Sequence, residues 1–247
     1  LKINKMADKS KKIGIVGWSI GENSFGVTKS YMEYFSKFGQ VEILTPQKGI
    51  RTDLSLIVLP GGADTPSWKY GQTPGYFNSN PDIFKEYFIE TNLDQYISQG
   101  TPIFGICLGL QALAVKFGSK LTQNMYHPYS NSREELVHKV LVPAKDGDGN
   151  LLYYESTDTL QTKKSTKEHK VNSMHHQAVR WNDLGSDLEI LLIDEDGEYV
   201  EALKHKTLPI ACVQFHPEET YDFFANKTIL NLLNDSKIQT SNKQISF

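Results

Sequence analysis

Cysteine is scarce in this chain, with two in 247 residues, Cys107 and Cys212. Two widely spaced cysteines make no disulfide framework and no Cys-x-x-Cys metal knuckle; they read as free thiols in a reducing compartment. Positive charge is not in excess. A net charge of -3 supplies no basic field for a nucleic acid or an anionic membrane surface. Nor does any apolar run approach the roughly 20 residues needed to span a bilayer. The lysine-rich start, from Leu1 to Lys12, lacks the apolar stretch of a secretory signal. A cytoplasmic location is expected, with residues 1–11 a flexible lead; whether Met6 is the natural start stays open. No G-x-x-x-x-G-K-[ST] loop is present, so no nucleotide site of that kind is expected.

What is present is an ordinary globular composition, 39% apolar and 22% charged, enough to bury a core. Short apolar runs at Lys12–Trp18, Val41–Leu44, Leu54–Leu59 and Pro102–Ile106 predict buried strands. Between them, Tyr31, Tyr34, Phe35 and Phe38 share one helical face. Asn80-Pro81 predicts the start of a helix running to Ser98, and Leu108–Phe117 predicts another. This alternation predicts an α/β domain with a mostly parallel sheet covered by helices on both faces. The second half is strand-rich, at His138–Val142, Leu188–Ile193, Tyr199–Leu203 and Pro209–Phe215. A helix is expected over Glu218–Leu233, then a polar tail over 235–247. Lys145–Lys170 reads as a surface excursion with a solvated lysine loop. One domain, 12–234, is the better reading.

Three patterns carry chemistry. Gly105-Ile106-Cys107-Leu108-Gly109 lies between a strand and a helix, as a nucleophile elbow requires, and the helix N-terminus favours a thiolate. His216, at the carboxyl end of a strand, is a base for that thiol, and Glu218 can orient its imidazole. Gly61-Gly62 after a strand, with the N–H of Leu108, can form an oxyanion hole. Three other features rank lower. His175-His176 lacks companion ligands at metal spacing, so no metal or other cofactor is expected. Cys212 reads as a core thiol. Trp68, Tyr70 and Tyr76 pack over the pocket, meet a partner or simply cover a sheet edge.

The blocks Leu59-Pro60-Gly61-Gly62-Ala63-Asp64, Gly105 to Gln111 and Gln214-Phe215-His216-Pro217-Glu218 resemble, in order and separation, the three signature blocks of class I glutamine amidotransferases. Val171–Val179 and Asp196–Ala202 resemble the γ-glutamyl hydrolase-like branch, which includes the γ-glutamyl-γ-aminobutyrate hydrolases. The resemblance implies a flavodoxin-like sheet and attack by Cys107 on a γ-glutamyl carbonyl. A thioester forms, and an amine or ammonia departs with a proton from His216. It also implies substrate contacts from Gln111 and from the loop bearing Ser173, His175 and His176. Leu108 follows the nucleophile where the γ-aminobutyrate branch often has Arg, so the leaving group stays open. A free-standing hydrolase, a glutaminase subunit feeding a separate synthase and a non-catalytic module on the same fold are the readings carried forward. The assembly state is open as well, a homodimer included.

Overall fold

A computed structural model describes residues 8–22, 24–163 and 168–242. In chain order the elements begin with β1 (Lys12–Val16), a hairpin of β2 (Trp18–Gly21) and β3 (Ser24–Gly26), α1 (Lys29–Phe35), β4 (Gln40–Leu44) and β5 (Leu56–Leu59). Then come α2 (Ile83–Thr91), α3 (Leu93–Ser98), β6 (Ile103–Ile106) and α4 (Leu108–Lys116). The second half holds β7 (His138–Leu141), a hairpin of β8 (Tyr153–Tyr154) and β9 (Thr159–Leu160), β10 (Lys170–Val171), β11 (Leu188–Asp194), β12 (Val200–His205) and β13 (Ile210–Val213). It closes with α5 (Pro217–Thr220) and α6 (Phe223–Asn242).

One sheet runs in the order β10-β7-β11-β12-β13-β6-β5-β1-β4. From β13 to β4 every pairing is parallel; from β13 to β10 every pairing is antiparallel. Parallel strands need crossover helices, and here those helices cover both faces. On one face Ile13, Ile15, Val58 and Phe104 pack with Tyr34 and Phe35 of α1 and Ile229 of α6. On the other, Ile57, Leu59 and Ile103 pack with Phe88 of α2, Tyr96 of α3 and Leu113 of α4. The expected α/β, flavodoxin-like architecture is therefore observed.

Four element boundaries differ from expectation. The helix expected from Asn80-Pro81 is capped instead by Asp82, whose Oδ1 accepts from the amides of Phe84 and Lys85 at 3.0 Å. It then breaks into α2 and α3 at Asn92. The helix expected over Glu218–Leu233 is two, separated where Tyr221 takes a left-handed φ of 57°. Beyond it, α6 runs on to Asn242, through the residues expected to form a polar tail. The lead segment falls largely outside the described residues, as does the centre of the lysine loop at 164–167. Among the described residues no helix is long and apolar enough to cross a membrane.

Candidate active site

The central parallel strands end on one edge, and three chain segments meet there. The Cys107 thiol stands on the turn between β6 and α4 with φ 52° and ψ -106°, a conformation that L residues with a Cβ avoid. Its neighbours explain how the turn is tolerated. A Cβ at Gly109 would lie 2.1 Å from the Leu59 carbonyl oxygen, and one at Gly105 would lie 2.8 Å from the Gly109 backbone. Only glycine lets β5, β6 and α4 approach so closely. The Cys107 amide donates to the Val213 carbonyl at 2.9 Å, tying the elbow to β13.

His216 follows β13, and its ring lies within electrostatic reach of the Cys107 thiol. Its Nδ1 lies 2.6 Å from Glu218 Oε1, with both groups buried. Burial opposes the imidazolium, but Glu218 and Cys107 outweigh it and push His216 up to about 10. Asn172 fixes the backbone here. Its Oδ1 accepts from the His216 amide at 2.8 Å and its Nδ2 donates to the His216 carbonyl at 3.1 Å.

The Gly61-Gly62 turn reaches the same place. A Cβ at Gly61 would lie 2.6 Å from His216 Cε1, so the missing side chain makes room for the imidazole. The Gly61 amide donates to Tyr31 Oη at 2.9 Å, whereas the Leu108 amide, in the first turn of α4, has no intrahelical acceptor. The other residues singled out in the sequence divide between the site's interior and its rim. Gln111 is buried, and its amide donates to the Gln177 carbonyl at 2.8 Å. Ser173 is fully buried with an unpartnered hydroxyl. His175 Nδ1 faces the Gln177 carbonyl at 3.1 Å. His176 lies at the rim, Nε2 3.1 Å from Asp64 Oδ1. Cys212 is buried in β13, and burial pushes its thiol up to about 12, as a core thiol requires. Of the aromatic trio, Tyr70 is buried while Trp68 and Tyr76 are exposed.

The residue the sequence did not reveal is Lys85. It is buried, its ammonium donates to the Gly61 carbonyl, and it stands 4.6 Å from the Trp18 ring centroid. Burial pushes it down to about 8, against the opposing pull of Asp82 and Cys107. A lysine on a helix ordinarily reads as solvated, so no local signal marks it.

The model of the family described as Peptidase C26 matches residues 18–218. The chain belongs to the peptidase C26 family. Its relatives include "Putative glutamine amidotransferase-like protein YvdE" of Lactococcus lactis subsp. lactis, 30% identical over 81% of this chain and 88% of that one. "Anthranilate synthase component 2" of Saccharolobus solfataricus is 26% identical over 62% of this chain and 70% of its own length. Among solved structures, a "putative gmp synthase subunit a protein" from Thermoplasma acidophilum aligns with a TM-score of 0.55 at 20% identity. That alignment covers 95% of this chain and 98% of the other. This C26 chain thus has the class I glutamine amidotransferase-like fold, and its three converging segments are the blocks on which the resemblance rested.

Proposed function

We propose that this chain hydrolyses the γ-amide of glutamine or of a γ-glutamyl compound through a thioester on Cys107. The reading is carried by one observation: a thiol on a strained elbow lies within electrostatic reach of an imidazole whose Nδ1 is held 2.6 Å from a buried carboxylate. Such a set supplies nucleophile, base and orienter together. The Cys107 thiolate attacks the γ-carbonyl carbon. The oxyanion is met by the N–H groups of Leu108 and Gly62, and by that of Gly61 if Tyr31 releases it. His216 protonates the departing nitrogen as the C–N bond breaks. It then takes a proton from the water that attacks the thioester, and glutamate leaves with the thiol restored. Glu218 holds the imidazole in place. Ser173 and His176 contact the glutamyl group, while Gln111 and His175 hold their loop in position. Both cysteines are free, which suits a reducing cytoplasm.

A second reading is an ammonia-supplying subunit for a separate synthase, favoured by the likeness to the relative named as a synthase component. Glutamate release from glutamine and from a panel of γ-glutamyl amides separates the two, with Cys107→Ala as the blank. A fast reaction with a γ-glutamyl conjugate alone identifies a stand-alone hydrolase. Slow release from glutamine alone identifies the subunit. The nucleophile is tested with 6-diazo-5-oxonorleucine, expected to leave one adduct, mapped to Cys107. An adduct only on Cys212, or none where a control amidotransferase is modified, would overturn the assignment.

A further inference from the structure

Away from the thiol, three side chains converge that the proposed chemistry does not use. His138 opens β7, Glu201 lies on β12, and His127 comes from the irregular segment between α4 and β7. His138 Nε2 is 3.3 Å and His127 Nε2 is 4.0 Å from Glu201 Oε1. His127 Nε2 lies 3.2 and 3.3 Å from the two ring nitrogens of His138. Glu201 is fully buried, yet neither carboxylate oxygen has a hydrogen-bond donor; His138 is near but not aligned for one. A buried carboxylate left so is costly unless a cation neutralises it.

We propose that His127, His138 and Glu201 bind one divalent transition-metal ion of the zinc class. Two imidazoles and a carboxylate form a donor set that such an ion takes. Ligand atoms about 2.0–2.1 Å from a tetrahedral ion stand about 3.4 Å from one another, close to the separations seen here. A further buried imidazole lies nearby. His175, whose ring centroid is 5.5 Å from that of His127, is buried, and its Nε2 has no partner. Because Nδ1 faces the Gln177 carbonyl, Nε2 is the nitrogen left with a lone pair; it lies outside the group whose donor atoms stand within 4.8 Å of one another, so the fourth position falls to a solvent ligand.

The site would fasten a segment that has no strand of its own. Residues 122–137 run beside the loop carrying Asn172, Ser173, His175 and His176. They are joined to it by the amides of Met125, Ser130 and Val137, donating to the carbonyls of His176, Ser173 and Val171. An ion shared by His127, β7 and β12 would clamp that segment, and through it the loop. The inference does not depend on the chemistry of Cys107.

The full chain, stripped with a chelator and titrated with Co2+, tests it. A visible d–d band should grow to saturation at about one equivalent per chain, as one four-coordinate site requires. Zn2+ should displace the Co2+ and restore the thermal midpoint lost on stripping. His127→Ala and Glu201→Gln should each weaken Co2+ binding by more than about 100-fold, beyond what loss of an outer-shell partner costs. If either variant fails to fold, protection of His127 and His138 from diethylpyrocarbonate by Zn2+ locates the ion in the parent. A folded, stripped chain that shows neither band nor thermal shift would overturn the proposal, leaving a proton shared by His138 and Glu201. So would a band that survives both substitutions, or one carrying thiolate charge transfer.

Discussion

Two buried imidazole–carboxylate pairs, His216–Glu218 and His138–Glu201, use the same residue types and differ in everything around them. The first comes from positions two apart, at the end of β13 and the start of α5, and its atoms meet at 2.6 Å. The second joins β7 to β12, with β11 lying between those strands in the sheet, and its atoms stop at 3.3 Å without an aligned hydrogen bond. Beside the first is a thiol; beside the second is another imidazole. The neighbours decide the charge. Within the pairs the direction is the same, since Glu218 and Cys107 push His216 up and Glu201 pushes His138 up, each against burial; it is the added imidazole, His127, that burial and the nearby His138 push down to about 4. What separates the two pairs is therefore the third group beside each, a thiol in one and a second imidazole in the other.

The sharpest way to break the comparison is to remove each carboxylate's charge while keeping its shape. Glu218→Gln should lower kcat/KM for glutamate release by about 10³–10⁴-fold, since an orienting carboxylate in a triad is worth that order. Glu218→Gln should also lower stability, since it too removes a buried charged partner. Glu201→Gln should cost stability alone, about 3–5 kcal/mol, with turnover less than about tenfold reduced. Thermal melts and glutamate release, measured on both proteins, check the pair. Equal effects on activity would mean that both carboxylates serve one site.

This contrast also explains what was legible in the sequence. The elbow, His216 and Glu218 are local signals: glycines flanking a cysteine at a strand–helix junction, and a histidine with a carboxylate two residues on. Gly61-Gly62 was legible for the same reason. His127, His138 and Glu201 carry no common spacing, because three separate segments bring them together only when the antiparallel half of the sheet is built. Lys85 was hidden differently. Its burial depends on α2 packing over the Gly61 carbonyl and Trp18, which nothing in its own helix announces. The parallel strands were found because burial on both faces makes them continuous apolar runs. The β2–β3 hairpin was not separated from β1, since Lys12–Trp18 reads as one run and Trp18 already belongs to the hairpin.

A smaller effect distinguishes the two pairs by pH. His216 is held at about 10 against an ordinary value of 6.5. Between those values the folded chain keeps a proton that the unfolded chain has released. Its contribution to stability is therefore complete below pH 6.5 and is lost as pH rises through 10. Lys85, pushed down to about 8 from 10.5, acts in the opposite sense over pH 8–10.5, so the useful quantity is a difference between proteins. In melts from pH 6.5 to 10, the parent should lose stability more steeply than Glu218→Gln, which lacks the carboxylate that most strongly favours the imidazolium. Parallel slopes would mean that His216 is not held charged by Glu218.

The smallest effect belongs to a third histidine–carboxylate contact, His176–Asp64, at the rim. The two side chains are 37% and 13% exposed, so water screens them and the pair is worth less than about 1 kcal/mol. Its position gives it more weight than its energy, because it joins the loop after β10 to the block that follows Gly61-Gly62. Asp64→Asn keeps the shape and removes the charge. Stability should then change by less than about 1 kcal/mol, while KM rises several-fold and kcat holds, since a rim contact positions bound substrate without touching the reacting atoms. A fall in kcat at unchanged KM would mean instead that the clasp sets the geometry of the thiol and imidazole, and that the rim and the elbow act as one unit.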